Sequence, residues 1–389
     1  MDGLPPELLP ESARWDGRAR PEVWDLVPRH PAVFLLVDGS GLPIQLGATQ
    51  NLRRQLQARF EAPQEARPRA DVAEIARAVR WRVTHSPFES RWWYYRLARR
   101  LHPREYASMV SFGPAHFLRV DWSAAPPDIG VSERIWAQAG EFLGPWPSRR
   151  ACVEALDTLR DLFDLCRYPE QVRKAPAGLR CAYFEMARCD APCDGTAPMP
   201  GYVERVRAAW AFAAEDSGAI VESARGAMRA AAREMRFEDA ARLKRRIESA
   251  ERWRTLRRPM VRRERDLNHL LSIPVTRRKA YKLCLFRAGA LVFSDMLSGR
   301  GSADKAAAWL EGALAAPQIV GARQRMEQTW LLAHLLERAE RERVAIVPLR
   351  ESATAAELLE AARAARELAS KKPDAPTAAP PENEEGCEP

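Results

Sequence analysis

Apolar and polar positions change period along this chain, and the changes mark out its elements. Ala32-Val-Phe-Leu-Leu-Val37 is a continuous apolar run, closed by a polar Asp38-Gly-Ser-Gly41 turn and followed by a second short strand through Ile44 and Leu46. This pattern over residues 31–47 predicts a β-hairpin. Thr49 or Asn51 is placed to cap a helix over 52–60. Residues 71–83 start with helical spacing and end as a strand, and 88–101 read as a helix stopped by Pro103. Short strands and loops alternate over 107–150. At 149–166, Val153, Leu156, Leu159, Leu162 and Phe163 recur on one side of a helix. Residues 200–254 are almost wholly helical in pattern. A second hairpin is predicted at 282–294, turning at Arg287-Ala-Gly289, then helices at 303–314 and 327–341, a strand at 345–349 and an alanine-rich helix at 354–370.

These elements imply an α/β (α+β) chain without an internal repeat. The expected divisions are an irregular lead-in (1–26), a small α/β unit (27–106), a connecting α/β segment (107–165) and a cysteine-rich loop (166–200). A helical region (201–256), a basic linker with a small α+β part (257–350) and a helix with a disordered acidic tail (351–389) follow.

At 389 residues and 46% hydrophobic, the chain is large enough for two or three domains with real cores. No apolar run approaches the roughly 20 residues of a bilayer span, and no secretory signal opens the chain, so a soluble, cytoplasmic protein is expected. The net charge is +9, but residues 373–389 hold five acids and no Lys or Arg, which leaves 1–372 at +14. A basic body of this kind suits a polyanionic partner such as DNA. Its densest stretch holds Arg252, Arg254, Arg257, Arg258, Arg262, Arg263 and Arg265 against Glu264, with Arg277, Arg278 and Lys279 beyond. Phosphate contact and a solvated helix end both account for it.

Cysteine placement is the strongest local signal. Of seven cysteines, Cys166, Cys181, Cys189 and Cys193 fall within 28 residues beside Gly and Pro. An odd total argues against a disulfide framework. Four thiolates so concentrated can close a zinc site or hold an iron–sulfur cluster, and the spacing does not choose between them. Cys152 competes for the first place.

Arg180-Cys-Ala-Tyr-Phe-Glu-Met-Ala-Arg-Cys-Asp-Ala-Pro-Cys-Asp-Gly195 closely resembles the cysteine loop of the UvrC family, the incision subunit of bacterial nucleotide excision repair. Three further segments resemble that family in the same order. Residues 31–60 resemble the start of its GIY-YIG nuclease domain, Phe142-Leu-Gly-Pro-Trp-Pro-Ser148 its Gly-Pro turn, and 228–247 its UVR helical hairpin. The resemblance implies a 4Fe–4S cluster on Cys166, Cys181, Cys189 and Cys193, with zinc as the alternative. It also implies UvrB as a partner through Met235, Phe237, Ala240, Ala241, Leu243 and Ile247, and DNA contact through Arg252, Arg254, Arg257, Arg258, Arg262 and Arg263.

The nuclease chemistry is another matter. In the family it uses two tyrosines, a Lys, an Arg, a Mg2+-binding Glu and an Asn. These positions fall on Phe34, Gln45, Ala48, Gln55, Tyr94 and Tyr106, so all six are replaced. No hydroxyl, cation or carboxylate remains where phosphoryl chemistry needs one. Glu89 is the nearest carboxylate on the Tyr94 helix, and helical geometry turns it about 140° away. No segment after residue 300 resembles the family's second, RNase H-like nuclease, and no catalytic Mg2+ is expected. The resemblance therefore implies an inactive UvrC-like protein, a pseudoenzyme. Two alternatives stand beside it: an active UvrC/Cho-like endonuclease rebuilt around Glu89, Arg91, Tyr94 and Tyr95, and an iron–sulfur redox or structural DNA-binding module.

Overall fold

The computed structural model describes residues 7–16, 21–61, 72–186, 188–215, 218–258, 260–275, 280–316 and 320–350, with six further positions between 357 and 367. A six-residue strand with no polar position needs cover on both faces, and β2 (Ala32–Val37) has it, every residue being buried. It lies in a four-stranded antiparallel sheet between β3 (Pro43–Thr49) and β4 (Ala78–Val83), with β1 (Glu11–Arg14) beyond β4. Asp38 closes the β2–β3 turn by accepting from the Ser40 and Leu42 amides and the Ser40 hydroxyl at 2.7–2.9 Å. These bonds, the Ser40 hydroxyl's foremost, hold its carboxyl below the usual range.

Asn51, not Thr49, caps α2 (Leu52–Glu61), its Oδ1 accepting from the Arg54 amide at 3.0 Å. α3 (Val72–Ile75) leads into β4. Ser86 caps α4 (Pro87–Leu101) through the Glu89 amide at 3.0 Å, and α5 (Tyr106–Val110) follows. The lead-in expected to be irregular instead supplies β1 and α1 (Pro21–Leu26). Trp15 and Trp24 meet Phe60 at ring-centroid distances of 5.6 and 5.2 Å, and Trp15 Nε1 donates to the Ala76 carbonyl at 2.9 Å. With a single buried position in four residues, β1 is too short for alternation to reveal it.

A second antiparallel sheet runs β6-β5-β7-β8, from β5 (His116–Val120), β6 (Ile129–Ser132), β7 (Glu141–Trp146) and β8 (Arg262–Arg263). α6 (Arg149–Phe163) begins at the Ser148 cap and ends at Asp164, whose left-handed φ of 51° turns the chain away. The continuation expected to Cys166 therefore does not form. After two short helices, α7 (Pro169–Val172) and α8 (Ala182–Glu185), come α9 (Met199–Glu215), α10 (Gly218–Arg233) and α11 (Phe237–Leu256). Trp146 meets Trp253 edge-on at 5.7 Å, and Phe163 meets Phe212 at 5.6 Å, so β7, α6, α9 and α11 share one core.

The third sheet runs β11-β10-β9-β13, from β9 (His269–Pro274), β10 (Ala280–Arg287), β11 (Ala290–Phe293) and β13 (Ala345–Pro348), with β12 (Leu297–Ser298) also paired to β10. α12 (Ser302–Ala315) covers one face, setting Ala306 and Leu310 against Leu283 and Leu285. α13 (Ala322–Glu342) covers the other, with Leu331 and Leu335 against Leu271 and Phe286. α4 joins this second layer. Its Phe88 and Trp92 stack on Phe293 at 5.9 and 5.7 Å, while the same core takes in Val33, Leu35 and Val37 of β2. One helix thus serves two sheets. The alanine-rich helix at 354–370 lies mostly outside the described residues, and the acidic tail and residues 277–279 lie wholly outside them.

His269 sits at the start of β9, buried with no hydrogen-bond partner for Nδ1. Burial, helped by the nearby Arg262 charge, pushes its pKa down to about 4. An unfolded histidine titrates near 6.5, so the unfolded chain takes up the proton first. This contribution to stability is complete above about pH 6.5 and is lost as pH falls towards 4, by about 3 kcal/mol in all. Denaturant unfolding from pH 7.5 to 4 should show a shallower acid decline for His269→Leu than for the parent, and parallel curves would refute the assignment.

Candidate functional site

The turn at Asp164 delivers Cys166 into the loop between α6 and α9. Cys166 Sγ accepts from the Tyr168 amide at 3.4 Å. Gly178 donates its amide to the Cys193 carbonyl at 2.9 Å, and a Cβ there would lie 2.4 Å from the Gln171 carbonyl oxygen, so only glycine lets the two strands of the loop approach. Cys181 precedes α8 as its cap residue, and Cys193 lies in a 3-10 turn flanked by Ala191 (φ 53°) and Gly195 (φ 83°). The loop is stitched to its surroundings by arginines. Arg167 pairs with Asp157 and Asp161 at 2.9 and 2.6 Å and lies over Tyr183. Arg180 pairs with Asp194 at 2.6 Å and lies over Phe184. Asp194, bonded by Thr196 and Arg180, has its carboxyl drawn down to about 2.

These constraints bring all four expected cysteines to one small hollow, shared with Tyr168, Leu179, Phe184 and Ala191. Cys166 and Cys189 lie near enough for their thiols to interact, and this interaction, with burial, raises Cys166 while it draws Cys189 down to about 7. Cys152 does not line the hollow. It faces the core from α6, fully buried, and burial pushes its thiol up. None of the six described cysteines forms a disulfide. Among the described residues, no three Cys, His, Asp or Glu side chains converge on a point where a single metal ion would sit.

The α10–α11 hairpin has a buried base and a bare tip. Val221, Ile247, Ala250 and Trp253 join the core beneath α6. At the tip, Met235 is 72% exposed with a left-handed φ of 58°, and Phe237 is 63% exposed. Ala241 is exposed, and Ala240 and Leu243 are half-buried. Ile247, expected at a partner surface, is instead occupied within the chain's own core, because α11 crosses α6 at that level.

The six replaced nuclease positions do not share a cleft. Phe34 and Gln45 lie on the sheet face that also holds Leu36, opposite Gly47 and Leu36 in register, with the Phe34 ring filling the space a Cβ on Gly47 would need. Ala48 pairs with Val33 and so lies on the other face, exposed. Gln55 is exposed on α2, and Tyr94 packs half-buried on the α4 core. Tyr106 is buried and donates to Glu327 Oε1 at 2.6 Å, while Tyr95 donates to Glu327 Oε2 at 2.9 Å. Glu89 is buried on α4, where Oε1 accepts from Lys282 Nζ at 2.7 Å and Oε2 from the His85 amide at 2.8 Å. Lys282 and Glu327 were not foreseen from sequence, since each lies about 200 residues from its partner.

The basic stretch is dispersed by the fold. Arg252 pairs with Glu154 at 2.5 Å, and Arg257 donates to the Ala214 carbonyl at 3.0 Å. Arg254 and Arg258 are exposed near the end of α11, whereas Arg262 and Arg263 are half-buried in β8. Among the described residues, no helix is long and apolar enough to cross a membrane.

Residues 116–212, from β5 through the cysteine loop into α9, match the family model described as UvrC/Cho excinuclease, middle domain. The chain is 28% identical over 221 residues to UvrABC system protein C of Moorella thermoacetica, covering 56% of this chain and 35% of that one. It is 28% identical over 231 residues to that of Syntrophus aciditrophicus, covering 58% and 37%. With Geobacter metallireducens the identity is 27% over 221 residues, 56% and 35%. The match thus spans little more than a third of the length of these relatives. No solved structure matches. The chain is therefore similar to UvrC/Cho excinucleases across the very segment that gathers its four cysteines.

Proposed function

We propose that this protein is a UvrC-like component of nucleotide excision repair that binds UvrB and DNA as an accessory or regulatory factor and does not cut DNA itself. One observation carries the non-cutting part: Glu89, the carboxylate nearest the family's metal-binding position, is buried and tied to Lys282. Metal-assisted phosphodiester cleavage needs an acid open to Mg2+ at the reacting centre. An endonuclease rebuilt around α4 would have to free Glu89 from Lys282 and Tyr95 from Glu327, both inside a packed core.

For the four thiols we favour a 4Fe–4S cluster, with zinc as the alternative, because their loop resembles the cysteine loop of the UvrC family. All four open onto one hollow, and four thiolates so gathered can hold either group. Bound there, a cluster would supply four Fe–S links bracing the loop. Cys166, Cys181, Cys189 and Cys193 would hold it, with Phe184 lining the hollow beside them.

UvrB binding is assigned to the hairpin tip, where Met235 and Phe237 are exposed and contribute little to folding. The test mixes the purified chain with UvrB and a damaged duplex in Mg2+ or Mn2+. A complex with UvrB and no nicked strand is expected. Changing Met235→Ser with Phe237→Ser should weaken that complex at least about tenfold with the melting temperature unchanged. Reproducible incision that a point change in this chain abolishes would overturn the proposal.

A further inference from the structure

Where the second and third sheets meet, β8, the 3-10 turn after it and the β10–β11 turn enclose a cleft of about 310 Å3. Its walls carry three guanidinium groups from three separate elements: Arg263, Arg265 and Arg287. Trp136 and Asn268 are among the other residues that line it. We propose that this cleft binds a nucleotide unit of a DNA strand, the arginines taking its phosphates. The inference rests on the DNA-binding reading above and places the contact away from the exposed end of α11.

Three guanidinium groups outnumber the two carboxylates that line the cleft, Glu141 and Glu264. Glu141 is held in place by the Trp122 and Trp210 indoles, from which it accepts at 2.9 and 2.6 Å. Glu264 is half-buried, and burial raises its carboxyl, disfavouring the charged form. Arg265 is exposed and makes no ion pair or hydrogen bond among the described residues. Arg287 commits one Nη1 to the Leu314 carbonyl, which fixes the side chain and leaves the rest of its fork. A planar fork of this kind matches phosphate oxygens two at a time.

The other features suit a nucleotide better than a bare anion. The volume exceeds what phosphate needs and lies at the lower end of organic-ligand pockets. The Trp136 ring is held in place by its Nε1 bond to Thr329 at 3.2 Å and by Arg325 over it at 5.4 Å, so an aromatic wall stands beside the cations. Cations beside a fixed aromatic side chain are the combination that strand-binding surfaces use. The backbone at Ala288 and Gly289 is left-handed (φ 47° and 81°). A Cβ on Gly289 would lie 2.8 Å from Arg325 Cβ, so glycine lets this turn approach the wall.

The test uses the whole chain and fluorescence anisotropy with labelled single-stranded and duplex oligonucleotides across a salt series, with ATP and inorganic phosphate as competitors. Arg265→Glu is chosen because its side chain has no partner to lose. It should weaken oligonucleotide binding roughly tenfold and flatten the salt dependence by about one counterion, with Arg263→Ala acting in the same direction. Arg254→Ala with Arg258→Ala should change affinity less than threefold. Oligonucleotide affinity unaffected by Arg265→Glu sinks the cleft and leaves the DNA reading standing. Absence of any oligonucleotide binding by the parent chain sinks both. Displacement of the oligonucleotide by micromolar ATP, or by phosphate alone, would assign the cleft to a free anion and overturn the proposal.

Discussion

Lys282→Met should destabilise the protein by about 3–5 kcal/mol, the cost of leaving a buried carboxylate without its counter-ion. The Glu89 side chain is 1% exposed and that of Lys282 12%, so little water stands ready to replace the ammonium. The remaining bond to Glu89, from the His85 amide, supplies one donor to a group with about four acceptor sites. The pair also joins α4 to β10, so its loss is felt where the first and third sheets share a core. The double change Glu89→Leu with Lys282→Met removes both charges and should recover most of the loss, because an apolar pair of similar volume suits such a site. Urea unfolding of the two singles and the double reads the coupling directly. A Lys282→Met protein within 1 kcal/mol of the parent would mean that water reaches Glu89, and would reopen α4 as a place for metal chemistry.

The second large effect concerns the cysteine hollow. Protein purified anaerobically should carry iron and sulfide with visible absorbance, and separate changes of Cys166, Cys181, Cys189 or Cys193 to Ala should each remove most of it. Cys152→Ala should keep the colour. Its thiol is packed among Leu156, Leu159 and neighbouring core residues, and removing it leaves a small cavity costing about 1 kcal/mol. The contrast between two buried cysteines on either side of the α6 terminus, Cys152 and Cys166, makes the experiment sharp. Both are buried, yet just one lines the hollow. A colourless protein with one zinc per chain, or colour that survives the Cys189 change, would refute the iron–sulfur assignment.

Much of the local structure was legible because it has local causes. The apolar run and Asp-Gly-Ser-Gly turn give β2 and β3, Pro87 and Ser86 start α4, and the stripe from Val153 to Phe163 gives α6. The cysteine spacing was enough to nominate four residues that the fold then gathers at one hollow. What was not legible is non-local. β1 earns its place through the Trp15–Trp24–Phe60 cluster, across a gap of some 45 residues. Glu89 is a plain exposed-looking helix acid until Lys282 arrives from β10, and Tyr106 gives no sign of Glu327. Arg252 to Arg263 read as one basic stripe, but a strand, a turn and a helix end divide them. Charge counts along a sequence take no account of where each side chain finds a partner.

The position of α4 has a bearing on how this chain can be divided. Because Phe88, Trp92 and Trp93 face Phe293 while their neighbours face β2, neither the amino-terminal sheet nor the carboxy-terminal sheet owns that helix. A cut on either side of it strips an aromatic wall bare. The two outer sheets are therefore wedded through a common keystone, and neither can be lifted out with its core intact.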